Sequence, residues 1–247
     1  MHLPGVLHLP GLLAPGICER WRTAAELRIE AAHATQRDAP DWSPSSSSLR
    51  LRAVPEIGIE TLRAALGGEP LQRACEALGS ALAFDLDECW LRHQYAPFHA
   101  PAPHRPHAWH QDGALRFDFV AWPCAPWPAD ALLEMVTCWV ALSPCGVDAP
   151  GLEILARPID ALLAPAELGD AELRARFAGH EFVRPEFAAG EALLFGGGAL
   201  HRTHVDAAMR RDRTSLELRF FAADRLPARL AMDRFSRLPA CVPRSVP

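Results

Sequence analysis

The sequence contains neither lysine nor asparagine. All 25 basic residues are arginine, which excludes a Schiff-base lysine, a pyridoxal-phosphate site and a lysine-bearing phosphate loop. Without asparagine there is no acceptor for N-glycosylation. Abundant alanine, arginine and proline beside these gaps fits coding bias in a GC-rich genome, so the arginine excess alone carries no functional meaning. The seven cysteines, at 18, 75, 89, 124, 138, 145 and 241, include no Cys-x-x-Cys pair. An odd, dispersed set fits reduced thiols better than a disulfide framework or a structural zinc site. A net charge of −5 with no basic cluster among aromatics predicts no nucleic-acid partner. Residues 1–16 are apolar, yet they lack a basic leader and are broken by prolines. They suit neither a signal peptide nor a membrane span, so a cytoplasmic protein with no membrane partner is expected.

What remains is an ordinary globular composition, 49% hydrophobic and 22% charged over 247 residues, enough for a sizeable core. A single domain over 1–247 is expected. The first third reads as an extended arm (1–16) followed by helices over 16–36, 56–66 and 70–82, with a Pro/Ser-rich loop at 38–48. Cys18, Trp21, Ala25, Ile29 and Ala32 form one helical stripe. After residue 83 the pattern changes to short β-like runs at 87–95, 132–142, 151–155, 181–183, 192–195, 200–204 and 214–222, with helical turns within 160–177. The run 132–142 is apolar on both alternations, the mark of a strand covered on both sides. Helices first and short strands afterwards predict a mainly β sandwich or jelly roll with helices against it. No repeat of solenoid period occurs.

The chemistry concentrates in Trp109-His110-Gln111-Asp112-Gly113. In extended backbone, residues i and i+2 share a face, so His110 and Asp112 can converge on one point. A third ligand would complete a 2-His-1-carboxylate triad, the open-sided site of non-haem ferrous iron. His201, after the run Gly196-Gly197-Gly198-Ala199-Leu200, offers it; His204 is the alternative, on the opposite face of an extended segment. The glycine run is no phosphate loop, since neither a following helix nor a lysine accompanies it; a tight turn suffices. His104 and His107 read as rim residues of an irregular loop. The plainer reading of His110 and Asp112, a loop histidine and an Asp-Gly turn, loses weight once His201 and Arg213 are set beside them.

These pieces, WHQDG, GEALLFGGGALHRTH and RTSLELRFF, resemble the phytanoyl-CoA dioxygenase family of iron(II)- and 2-oxoglutarate-dependent oxygenases over about residues 91–221. The resemblance implies a double-stranded β-helix (jelly roll, cupin-like) buttressed by N-terminal helices. It implies Fe(2+) held by His110, Asp112 and His201, with 2-oxoglutarate and dioxygen as cosubstrates. Arg213 fits the family's Arg-x-Ser/Ala pattern and would grip the distal carboxylate through its planar fork, with Ser215 adding a hydrogen bond; Arg210 and Arg211 are alternatives by spacing alone. The plainer reading of the 213–219 alternation is a strand whose polar face meets water. Trp139 matches a family tryptophan beside the cosubstrate, and Gln94 and Tyr95 are further pocket candidates. Asp112 argues against a halogenase, which carries a small residue there. Where relatives usually have Pro-Gly-Ser-His, this chain has Ala156-Arg157-Pro158-Ile159, so an acyl-CoA substrate is not carried over.

The expected activity is hydroxylation of a small molecule with release of succinate and carbon dioxide. A metal-dependent hydrolase and a non-catalytic jelly-roll binding protein are the rival classes. The substrate pocket is expected under the 96–107 loop and the N-terminal helices, with 122–128 at its rim, and to suit a largely apolar molecule.

Overall fold

A computed structural model describes residues 5–35, 41–66, 68–114, 132–224 and 236–238. In chain order the elements are β1 (Val6–Leu9), α1 (Pro15–Thr35), β2 (Trp42–Ser43), β3 (Ser48–Arg50), α2 (Ile59–Leu66), α3 (Glu69–Leu78), β4 (Leu82–Phe84), β5 (Trp90–Gln94) and β6 (His110–Gln111). There follow β7 (Met135–Ala141), β8 (Gly151–Leu155), α4 (Asp170–Arg176), β9 (Phe182–Val183), β10 (Ala192–Gly196), β11 (Leu200–His204), β12 (Arg213–Ala222) and β13 (Ser236–Leu238). The strands form two antiparallel sheets. The larger runs β1-β10-β7-β12-β5-β3-β2, with β4 joining β12 and β13; the smaller runs β6-β11-β8-β9. Two such sheets face to face, with helices on the outside of the larger, make the expected double-stranded β-helix.

Strand β12 shows why the molecule has two interiors. Its ten residues alternate, so Leu216, Leu218 and Phe220 face one side while Arg213, Ser215, Glu217 and Arg219 face the other. The apolar side joins Val136, Cys138, Val140 and Leu194 and is covered by Trp21, Ala25 and Ile29 of α1 and Leu71, Cys75 and Leu78 of α3. Each large side chain buried there contributes about 1.5–3 kcal/mol. The polar side is also enclosed: Arg213 is 1% exposed, Ser215 0% and Arg219 3%. It faces the smaller sheet, not water, so the reading of a solvated polar face fails. Trp139, Leu193, Phe195, Leu152 and Phe187 close one end of this inner space.

Several boundaries differ from expectation for local reasons. Within the arm Val6–Leu9 is a true strand, β1 extending the sheet through pairing to β10. Within 41–50 the Ser-rich stretch forms the β2–β3 hairpin, which adds to the sheet edge beside β5. The helix expected over 70–82 stops at Gly79, left-handed at φ 60°, and Leu82 already begins β4. Pro55–Ile57 is a 3-10 turn ahead of α2, and Leu86–Glu88 is another ahead of β5. The N-terminal helices do not roof the inner space. Their stripe is complementary to the apolar face of the large sheet, which puts them on its far side. Residues 122–128, the expected rim, lie outside the described residues.

Candidate metal and cosubstrate site

His110 and His201 stand directly opposite each other in the β6–β11 pairing, their ring centroids 4.2 Å apart. Asp112 follows β6 on the same face. One donor atom from each of the three lies within 4.8 Å of the others, and all three residues are buried. The residues between them point the other way and fasten the strand. Trp109 donates to Asp170 (2.9 Å), while Gln111 donates to Ala161 O (3.0 Å) and Gly198 O (3.1 Å) and accepts from Leu163 N (2.9 Å). The glycines have a further role besides the turn. Gly113 N donates to Gly197 O at 2.8 Å, and a Cβ on Gly197 would lie 2.7 Å from Leu133 O, so only glycine permits the approach that seats Asp112.

Tautomer and charge are set from outside the ligand triangle. Nδ1 of His110 donates to Ala108 O (2.7 Å) and Nδ1 of His201 to Ala199 O (3.0 Å), which leaves each Nε2 as a lone pair for a cation. Burial, then the His201 ring, pushes the His110 pKa down to about 4, so it is neutral at pH 7. Its 3.7 Å approach to Asp112 is therefore a meeting of donor atoms, not an ion pair. Burial would raise the Asp112 pKa, but Arg219 and the two histidines outweigh it and hold the carboxyl well below the usual range. Thr137 donates to Asp112 Oδ2 (2.6 Å) and Arg219 Nη2 lies 3.3 Å from Oδ1. Two imidazoles, each with Nε2 turned to the triangle, and a carboxylate present hard and borderline donors, a set that fits ferrous iron.

Beside this triangle is a second unsatisfied group. Arg213 donates from Nη1 to Gly151 O (3.2 Å) and lies over the Trp139 ring, its Cζ 5.3 Å from the centroid. It makes no ion pair with a carboxylate among the described residues, and its Nε, Ser215 Oγ and Trp139 Nε1 are buried without hydrogen-bond partners there. Burial draws its pKa below the ordinary arginine value. An enclosed cation flanked by two unmatched polar hydrogens is costly unless an anion completes it. The unmatched donor set fits a carboxylate.

Other candidates separate cleanly. His204 lies on the opposite face of β11 from His201, outside the triangle. Arg210 and Arg211 precede β12 and are exposed. Gln94 stands opposite Arg213 in register and is 4% exposed. However, its amide nitrogen donates to Tyr95 O (3.2 Å) and His104 Nε2 (2.7 Å). The Tyr95 carbonyl fixes that amide orientation, so Gln94 has only an acceptor left and cannot pair with a carboxylate. It holds the 96–107 loop. Tyr95 is half-buried among His33, His93, His99 and His104, ring against ring. His104 and His107 are half-buried contacts of β5 and not ligands. Sequence reasoning missed Thr137 and the role of Arg219 toward Asp112.

A family model for phytanoyl-CoA dioxygenase (PhyH) matches residues 1–211. The chain belongs to the phytanoyl-CoA dioxygenase family. The match ends just short of Arg213, whose role therefore rests on geometry. No curated protein matches the sequence. Among solved structures, EctD from S. alaskensis with 2-oxoglutarate and 5-hydroxyectoine is similar at TM-score 0.65 and 18% identity, over 90% of this chain and 73% of that one. The epimerase SnoN from nogalamycin biosynthesis is similar at TM-score 0.63 and 16% identity, over 95% and 93%. AviO1 from Streptomyces viridochromogenes Tue57 is similar at TM-score 0.59 and 17% identity, over 92% and 93%. These likenesses carry the fold, and family membership makes the chain an iron- and 2-oxoglutarate-dependent oxygenase. No helix among the described residues is long and apolar enough to cross a membrane.

Proposed function

We propose that this member of the phytanoyl-CoA dioxygenase family hydroxylates an unactivated C–H bond of a small molecule, as a single catalytic domain working in the cytoplasm. The observation that carries the reading is the buried, uncompensated Arg213 guanidinium beside an open His-Asp-His triangle. A dicarboxylate cosubstrate needs such a cation at the far end of its chain from the metal.

In this reading His110, Asp112 and His201 hold iron(II), and Arg213, Ser215 and Trp139 receive the distal carboxylate of 2-oxoglutarate. When bound, the two supply oxidation of a C–H bond by dioxygen, coupled to decarboxylation of the cosubstrate to succinate. The chain's own residues supply geometry. Ala108 O and Ala199 O keep the imidazole lone pairs aimed at one point. Thr137 and Arg219 keep Asp112 ionised and turned inward. Trp139, Phe195 and Leu193 exclude water from the Arg213 side, which strengthens its pairing. Asp112 occupies the position a halide would need, which favours oxygen insertion.

The test is anaerobic addition of iron(II) and 2-oxoglutarate, followed by oxygen. A visible charge-transfer band and succinate formation are expected. Oxygen uptake independent of 2-oxoglutarate, or hydrolysis supported by zinc alone, would return the chain to the rival classes.

A further inference from the structure

The inner face of the large sheet has a second polar group, on the β5 side, that neither iron nor cosubstrate uses. Arg92, 6% exposed, is its centre. Its Nε donates to Glu217 Oε1 (2.5 Å), and its Nη1 to Ser48 Oγ (2.9 Å) and His107 Nε2 (2.6 Å). A guanidinium only donates, so His107 Nε2 must be a lone pair and the single imidazole proton sits on Nδ1. That Nδ1–H has no partner among the described residues. On Glu217, Oε1 is taken by Arg92, while Oε2 has as its nearest described cation Arg219 Nη2, at 3.9 Å and beyond hydrogen-bond reach. The Glu217 side chain keeps 13% of its surface exposed although β5 and β7 flank it on both sides. The His107 ring lies 5.6 Å from the His110 ring, and Arg219 bridges by charge from Glu217 Oε2 (3.9 Å) to Asp112 (3.3 Å), so His107 and Glu217 both border the metal triangle.

We propose that Glu217 Oε2 and His107 Nδ1–H, both oriented by Arg92, recognise the substrate, and that it is a small molecule presenting a hydroxyl or amide group there. This rests on the oxygenase reading and narrows its substrate class. One charged acceptor beside one neutral donor is complemented by a group that both donates and accepts. A hydrocarbon chain would leave both atoms desolvated without partners. A carboxylate or phosphate would face Glu217 with like charge. The expectation of a largely apolar substrate is thereby replaced, because the described wall on this side is Arg92, Glu217, His107 and Arg219.

The test uses the anaerobic chain with iron(II) and 2-oxoglutarate and reads the shift of the visible band. The probes are a methyl pyranoside, a cyclitol, an acetamido sugar and a hydroxylated aromatic polyketide, each beside its O-methylated counterpart, together with a fatty acid. O-methylation keeps the acceptor and removes the donor that Glu217 requires. At least one free hydroxyl compound should bind about tenfold or more tighter than its O-methyl partner, the scale of a hydrogen bond to a charged group. Glu217→Gln, which retains the Arg92 contact, should shrink that ratio to about threefold or less, and His107→Phe should weaken the parent compound. Equal binding of the pair, an undiminished ratio in Glu217→Gln, binding of the fatty acid alone, or binding of no probe overturns the proposal. The same panel read by ligand-detected NMR on the metal-free chain gives the preference without iron. A retained preference with no band would count against the oxygenase reading alone.

Discussion

Replacing Arg213 with Met separates a cosubstrate anchor from a structural cation by the sign of its effect on stability. A buried arginine in a native ion pair is destabilising to remove, by about 3–5 kcal/mol, because its partner charge is left alone. Arg213 has no such partner among the described residues; it has one carbonyl contact at 3.2 Å and the face of Trp139. Met fills most of the same volume and removes an uncompensated charge, so unfolding of the metal-free, cosubstrate-free chain should be unchanged or shifted to higher denaturant. Binding should move the opposite way. Loss of two charge-assisted hydrogen bonds, each worth about 1.5–3 kcal/mol, predicts a fall in 2-oxoglutarate affinity of roughly a hundredfold or more. Arg213→Lys keeps charge without the fork and should lie between. Urea unfolding with and without saturating 2-oxoglutarate reads both effects, since a ligand bound only to the native state stabilises it according to its affinity. A variant that unfolds several kcal/mol more easily without cosubstrate, or binds 2-oxoglutarate as well as the parent, would refute the reasoning and return Arg210 or Arg211 to consideration.

Thr137→Val removes the hydroxyl that donates to Asp112 at 2.6 Å, and iron(II) affinity measured by anaerobic titration should drop about ten- to hundredfold while the fold is kept. His201→Ala should abolish metal binding and His204→Ala should leave it intact; the reverse pattern would reassign the distal ligand. The fourth prediction concerns pH. Burial, then the nearby His93, pushes His104 down to about 4 from an ordinary 6.5, so the unfolded chain takes up its proton first. The neutral form's contribution is therefore present above pH 6.5 and is lost as pH falls toward 4. His104→Gln should flatten stability against pH across that window in urea titrations of the metal-free chain, and an unaltered slope would exclude His104 as a source.

What was legible in the sequence was whatever local spacing determines. The i, i+2 rule put His110 and Asp112 on one face, and the same rule put His201 and His204 on opposite faces. The stripe Cys18, Trp21, Ala25 and Ile29 is a helix face, and all four are buried. Spacing does not say which sheet a face looks toward. Arg213, Ser215, Glu217 and Arg219 read equally as a solvated edge or an enclosed wall, and only the opposing sheet, built from residues between 110 and 204, decides. The same limit misplaced the helices. Their apolar stripe was correctly seen, but its partner, the Leu216–Leu218–Phe220 face, is far away in sequence. Gln94 shows a third limit: its place on the strand before the 96–107 loop suggested a pocket residue, while its amide is committed to Tyr95 and His104 through a loop contact that no periodicity encodes.

The two faces of β12 also explain how a barrel interior this polar can exist in a folded chain. Burying Arg92, Arg213, Glu217 and Arg219 within one inner layer removes several charges from water, and such groups are weak or negative contributors to stability even when paired. The compensation lies one residue away along the same strand. Leu216, Leu218 and Phe220 are buried against α1 and α3, so each polar residue turned inward is flanked by apolar residues turned outward into a large, dry contact. The helical layer, packed on the apolar face of β12, thereby permits the inner face to stay preorganised around charges that await their partners. Weakening the outer face should loosen the site without altering any of its residues, whereas neutralising Arg213 on the inner face should leave the outer contact, and the strand that carries both, in place.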